Sequence, residues 1–405
     1  MPARARAALE RLDPVARRDA WSAFLGSRLV VLLAAVVGVA MFPKASGFQQ
    51  AYPGLLHPFE SWPLGDLFDL LLSPFIRADA GWYLQISQQG YDPDGLTGVQ
   101  GRPAFFPVYP LLMRVLGGFG FGGATVAAVG ISLVSLLGAL YLLHRLTTLE
   151  LGEGAARATV RLVAFCPVAY FFSAPYTESL FVLLSVGSVY AARRRRWAIA
   201  AVLAGVASGT RNVGVFLIVA LALIYLYEER PWERLRPSFL WLALCPAGLV
   251  AFSIYLRAEV GDAQAWRHRQ SYFGRELVDP VEGVRRGTEA AIHAVRGTVA
   301  AETTVPILVA FGFFVFVVVA MVGVFRLLPV AYGAYSLCLA VPVICAPFPD
   351  GSFSGLPRYA LVMFPLFMWL GARCERAGIT DRVVLGFACL LALLTAGFAS
   401  FQPVG

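Results

Sequence analysis

Seven polar residues are the hardest to explain by structure alone: Asp79, Glu178, Arg211, Gln270, Arg275, Asp350 and Arg358. An ionisable group near hydrocarbon is costly unless it faces a polar cavity, an opposite charge or an anion, so each is a candidate for chemistry. Asp79 lies in IRADAGWYLQISQQGYDPDG, where Trp82, Tyr83 and Ile86 can form one helical face. A carboxylate beside aromatics at a membrane surface suits proton abstraction from a hydroxyl, because partial desolvation raises its basicity. The competing reading is a helix N-cap followed by an interfacial aromatic anchor. Glu178, in SAPYTESLF, sits at the junction of two apolar runs, where it either opens a helix or serves a site at the mouth of a bundle. Arg211, in ASGTRNVG, interrupts a further apolar stretch. Arg358 follows a proline in SGLPRYALVMFPLF, so helix-start amides and a guanidinium could hold one phosphate. Snorkelling toward lipid headgroups is the alternative for both arginines.

The segment AWRHRQSYFGREL carries Arg267, His268, Arg269, Gln270, Tyr272 and Arg275. It suits an anionic lipid headgroup, and a solvated basic helix is the competing reading. His268 has no partner at metal-ligand spacing. Asp92 and Asp94 in YDPDG resemble the DxD of sugar-nucleotide enzymes, but Pro93 and Gly95 make a turn the better explanation. There is no P-loop, GxGxxG or HExxH, so nucleotide binding has no support in the sequence.

The elements that must position these residues are membrane helices. In 405 residues, 58% are hydrophobic and 14% charged, more apolar surface than one soluble core could bury. The net charge of +8 does not point to nucleic acid, because the arginines occur in short clusters between apolar runs. The six cysteines lie in or beside apolar stretches and read as small hydrophobes. Spans are expected near 24–42, 121–143, 159–176, 179–192, 197–208, 213–227, 238–257, 304–325, 328–346, 357–373 and 383–401, about eleven in all. The run after residues 1–23 lacks a convincing cleavage site and reads as a retained signal anchor.

A cytoplasmic amino terminus places Arg145 and Arg157, Arg193 to Arg196, Arg230, Arg234 and Arg236, Arg326, and Arg373, Arg376 and Arg382 inside. Two long segments, 43–120 and 258–303, then face the other side, together with all seven polar residues of interest. Within the first, residues 63–76 read as a helix on the membrane surface, and the prolines of 103–116 disfavour a clean span. The expectation is a single integral membrane domain over 1–405, multi-pass in the cell membrane, with its site extracytoplasmic.

The order of RADAGWYLQISQQGY, AFFPVYPLL, AYFFSAPYTESLF, ASGTRNVG, QSYFGREL and LPRYALVMFPLF resembles the PIG-V-type mannosyltransferases, of glycosyltransferase class GT-C. The chain departs from that family at Ala78, where Trp is usual before the Asp, and at Tyr272 and Phe273, where Ala-x-x-Trp is typical. The resemblance implies an all-α GT-C-like fold. It also implies a polyprenyl-phosphate-mannose donor, a lipid or glycan acceptor, and inverting transfer without a nucleotide. On this chain Asp79 would be the general base, and Arg358, Arg211 and Arg275 would bind the donor phosphate. Glu178 and Gln270 would hold sugar hydroxyls, and Trp82, Tyr83 and Tyr176 would offer ring faces, with Tyr359 a further substrate contact. Arginine partners for a phosphomonoester leaving group require no divalent metal, so neither metal nor cofactor is expected. Two other readings stay open. One is a lipid or lipid-linked-sugar transporter, which would line a path near the bilayer midplane. The other is a transferase using another polyprenyl-phosphate sugar such as arabinofuranose.

Overall fold

The computed structural model describes residues 13–41, 58–91, 101–229 and 237–400, and among these it is helical without strands. The Asp92–Asp94 turn and the loop arginines Arg4, Arg6, Arg11, Arg230, Arg234 and Arg236 lie outside the described residues. In chain order come α1 (Pro14–Met41), α2 (Gly65–Leu72), α3 (Asp79–Gln89) and α4 (Val108–Gly117). Then follow α5 (Phe121–Leu151), α6 (Glu153–Ala164), α7 (Glu178–Arg193), α8 (Trp197–Ser208) and α9 (Leu217–Glu229). The rest comprises α10 (Ala247–Glu259), α11 (Pro280–Val295), α12 (Ala301–Leu327), α13 (Val330–Ile344), α14 (Leu356–Val362), α15 (Phe364–Arg376) and α16 (Thr380–Ala399).

Four of these helices, α1, α5, α12 and α16, are long and apolar enough to cross a membrane. A fifth span results if Pro237–Leu244 and α10, bent by 40°, are taken together. At most half of each long apolar window is covered by protein, so lipid must cover the rest. The other expected spans are shorter helices, α7 and α8 among them, so the helices alone do not establish eleven crossings.

α1 shows how the sequence builds such a helix. Asp13 caps it by accepting the amides of Val15 and Ala16 at 3.0 and 3.1 Å. Leu25, Leu29, Leu33 and Val37 recur every four residues and stay exposed, while Ala20, Ala23, Ala35 and Gly38 turn inward. A Cβ at Gly38 would collide with the Ala396 carbonyl of α16, so the two backbones touch there.

The expected span 159–176 is not one helix. α6 stops at Ala164, shortly before Pro167, and a 3₁₀ turn at Ala169–Phe172 leads into the start of α7. This irregular backbone is buried in protein, where its carbonyls need donors. Arg28 of α1 supplies them, donating to Ala164 O at 3.2 Å, Ala169 O at 2.9 Å and Ser173 Oγ at 2.6 Å. The expected span 357–373 is likewise broken at Met363, with Pro365 just inside α15. Both breaks leave helix starts inside the bundle.

The two ends of the bundle carry different charges. At one end Arg145 pairs with Asp13, Arg157 with Asp19, Arg161 with Asp381 and Arg193 with Glu150. α7 runs from Glu178 at the other end to Arg193 at this one, 16 residues or about 24 Å.

Candidate active site

The broken segments deliver four charged side chains to one place. Asp79 and Glu178 are the first residues of α3 and α7, where the positive end of each helix favours a carboxylate. Ala78, just before Asp79, has φ 44° and ψ −116°, a left-handed conformation that strains a residue with a Cβ. Arg358 comes from the first turn of α14, and Arg211 precedes the 3₁₀ turn Asn212–Phe216.

Arg358 bridges the two carboxylates. Its Nε and Nη2 lie 2.8 Å from Glu178 Oε1, and its Nη1 lies 2.5 Å from Asp79 Oδ2. Arg211 Nη1 reaches the same Oε1 at 2.8 Å and Thr177 Oγ1 at 3.3 Å. Two guanidiniums and two carboxylates sum to zero, which is how charges this deep remain tolerable. Exposure is graded across the cluster: Glu178 0%, Arg211 9%, Arg358 19% and Asp79 29%. The carboxylate expected to act as base is therefore the one open to an incoming group. Glu178 Oε2 is buried and has no hydrogen-bond partner among the described residues.

Aromatic rings hold the guanidiniums. Arg358 lies over Tyr176 at 4.6 Å and Phe171 at 5.3 Å, and Arg211 over Tyr359 at 4.7 Å. Tyr176 is 1% exposed and donates its hydroxyl to Arg77 O at 2.9 Å, so it cannot offer a free face to a sugar; its ring already carries Arg358. Tyr83 is buried edge-on between Phe105 and Tyr109, again without an open face. Trp82 remains partly exposed one turn after Asp79, stacked on Phe105 at 5.7 Å and met edge-on by Tyr272 and Phe273.

The second long segment contributes less than expected. Arg275 stands at the border, stacked on Phe348 at 4.6 Å and beside Gly355, three residues before Arg358. Gln270 bonds only weakly to Trp266 O at 3.5 Å, and no contact joins it to the four charges among the described residues. Asp350 is exposed and accepts the Ser352 amide in a turn. His268 pairs with Asp262 at 2.8 Å, both partly exposed.

Thr177, Phe171 and Arg77 were missed in the sequence. Arg77 holds the strand of chain before Asp79 by donating to Ala399 O at 2.7 Å and Ser73 O at 2.8 Å. An arginine two residues before Asp79, the first residue of RAD, was the available signal. A groove of about 620 Å³ runs between the C-terminal half of α3, α4 and α10, lined among others by Ile86, Tyr91, Leu111, Phe252, Tyr255 and Gly209, two residues before Arg211. Among the described residues no three His, Cys, Asp or Glu side chains are grouped to hold a metal ion.

A multi-span helical protein with a charge cluster at broken helix ends is the class that the fold and site define. The chain matches the family description "Mannosyltransferase (PIG-V)" over residues 23–229, just over half its length. It belongs to that family. Asp79, Glu178 and Arg211 fall inside the match, whereas Arg275 and Arg358 lie beyond it. No curated protein and no solved structure matches the chain.

Proposed function

We propose that this membrane mannosyltransferase takes mannose from a polyprenyl-phosphate donor and transfers it, with inversion, to a lipid-linked or glycan acceptor on the extracytoplasmic side of the cell membrane. A GT-C-like arrangement serves this reading. The observation that carries it is Arg358 shared between a buried Glu178 and a half-open Asp79.

In this reading the donor phosphate docks on Arg358 and Arg211, with Arg275 at the border as a third cation. The phosphate exchanges for Asp79 on Arg358, freeing the carboxylate. The acceptor oxygen then attacks the anomeric carbon, its proton passes to Asp79, and the bond to the phosphate oxygen breaks with its electron pair going to the phosphate. Fixed guanidiniums stabilise that growing charge, so the step calls for no divalent ion and resists chelators. Glu178, fully buried, holds Arg211 and Arg358 in place for the phosphate. Trp82 offers the remaining ring face, and the groove along α3, α4 and α10 takes a prenyl chain.

The test uses purified protein in proteoliposomes with synthetic polyprenyl-phosphate-mannose and a membrane lipid extract, with EDTA in one arm. A new mannoside of opposite anomeric configuration, formed equally with EDTA, is expected. Donor crossing the bilayer without a new glycosidic bond would replace this reading with a transporter. Product only from a pentose donor would change the sugar.

A further inference from the structure

At the end of the bundle away from Asp79, α12 and α15 enclose a groove of about 570 Å³, lined by Val318, Val322 and Trp369 and ending at Arg326, Arg373 and Arg376. The arginines are exposed, and none has an ion-pair or hydrogen-bond partner among the described residues. They differ in this from Arg145, Arg157, Arg161 and Arg193 at the same end, each of which faces a carboxylate. All three arise in the last turns of their helices, where each helix end contributes about half a negative charge and Glu375 a whole one, so a surplus of roughly one positive charge remains. Trp369 closes against Gly323, where any Cβ would strike its indole ring, so the groove has a flat apolar floor. From Val318 to Arg326 the apolar wall extends eight residues along α12, about 12 Å.

We propose that this groove binds an anionic phospholipid, its phosphate between Arg326, Arg373 and Arg376 and one acyl chain along Val318 and Val322. A free phosphate would use the arginines but not the wall. A zwitterionic lipid brings its own cation and gains little from the surplus charge. The site is independent of the transfer reaction.

The full chain, delipidated in detergent, is titrated with dioctanoyl phosphatidylglycerol, dioctanoyl phosphatidylcholine or inorganic phosphate and followed by native mass spectrometry and Tm. Saturable binding of phosphatidylglycerol at least tenfold tighter than phosphatidylcholine is expected, weakened about fivefold by each Arg→Gln change at 326, 373 or 376. Val322→Trp, which fills the wall and leaves the arginines, is expected to weaken it as well. Equal binding of both lipids would overturn the proposal. So would unchanged phosphatidylglycerol binding in the R326Q/R373Q/R376Q variant, or the same Tm rise with inorganic phosphate alone. Among the described residues the arginines have no ion-pair or hydrogen-bond partner, so the triple variant is expected to keep the wild-type elution profile; were it lost, the three single variants carry the same comparison.

Discussion

Arg358 is the residue on which the cluster turns, because one planar guanidinium reaches Glu178 with two nitrogens and Asp79 with a third. Lysine keeps the charge but offers a single ammonium, which cannot span both carboxylates. Arg358→Lys is therefore expected to lower kcat by at least tenfold and to depress Tm, since either Glu178 is left with Arg211 alone or the partly exposed Asp79 loses its guanidinium, a cost below the roughly 3–5 kcal/mol of breaking a fully buried pair. Wild-type kcat and Tm in that variant, measured by transfer assay and thermal unfolding, would show that the bridge is dispensable. Asp79, Glu178, Arg211 and Arg358 were legible in the sequence because few roles justify a charge within apolar surroundings. Tyr176 and Tyr83 were not: sequence shows that a ring is near a site but not which of its faces is already covered. The position of Gln270 was not legible for a similar reason, since its distance from Asp79 depends on how the segment after α10 folds back.

At the scale of elements, the breaks in the apolar runs make the site. Hydropathy reads 159–176 as continuous, because the residues on either side of the break are equally apolar, and only Pro167 hints that α6 ends. What keeps the broken backbone in place is Arg28, itself hidden in a run that hydropathy scores as one span. Arg28→Leu removes the donor from two carbonyls and a hydroxyl, each worth about 1–3 kcal/mol when left unpaired and buried. A clear fall in Tm and in the yield of monodisperse protein is expected, although Arg28 touches neither Asp79 nor Arg358. An unchanged unfolding profile would mean that the start of α7 is held by packing alone. By contrast, the helix at Gly65–Leu72 was legible from its helical spacing, and the prolines of 103–116 were legible as a bar to a full span, which the ten-residue helix at Val108–Gly117 does not form.

For the whole molecule, four arginine–carboxylate pairs stitch one end of the bundle, and the neutral cluster lies toward the other. The number of crossings was less legible, because a short helix such as α8 can be as apolar as a spanning one. The proposed orientation rests on the arginine bias and is tested by placing single cysteines in a background without the native ones. Glu276→Cys is expected to react with a membrane-impermeant maleimide in intact cells, and Arg194→Cys only after lysis. The reverse pattern would put the charge cluster on the cytoplasmic side and remove the basis for an extracytoplasmic reaction.

The most direct measurement compares mannose transfer by purified wild type and Asp79→Asn, with Tm and elution profile recorded for both. Glu178 still pairs both arginines in the variant, so it is expected to remain folded while transfer falls by about 10²–10⁴-fold, the usual contribution of a positioned general base. Transfer at the wild-type rate by a folded Asp79→Asn protein would contradict the assignment of this cluster as the place where the sugar changes hands.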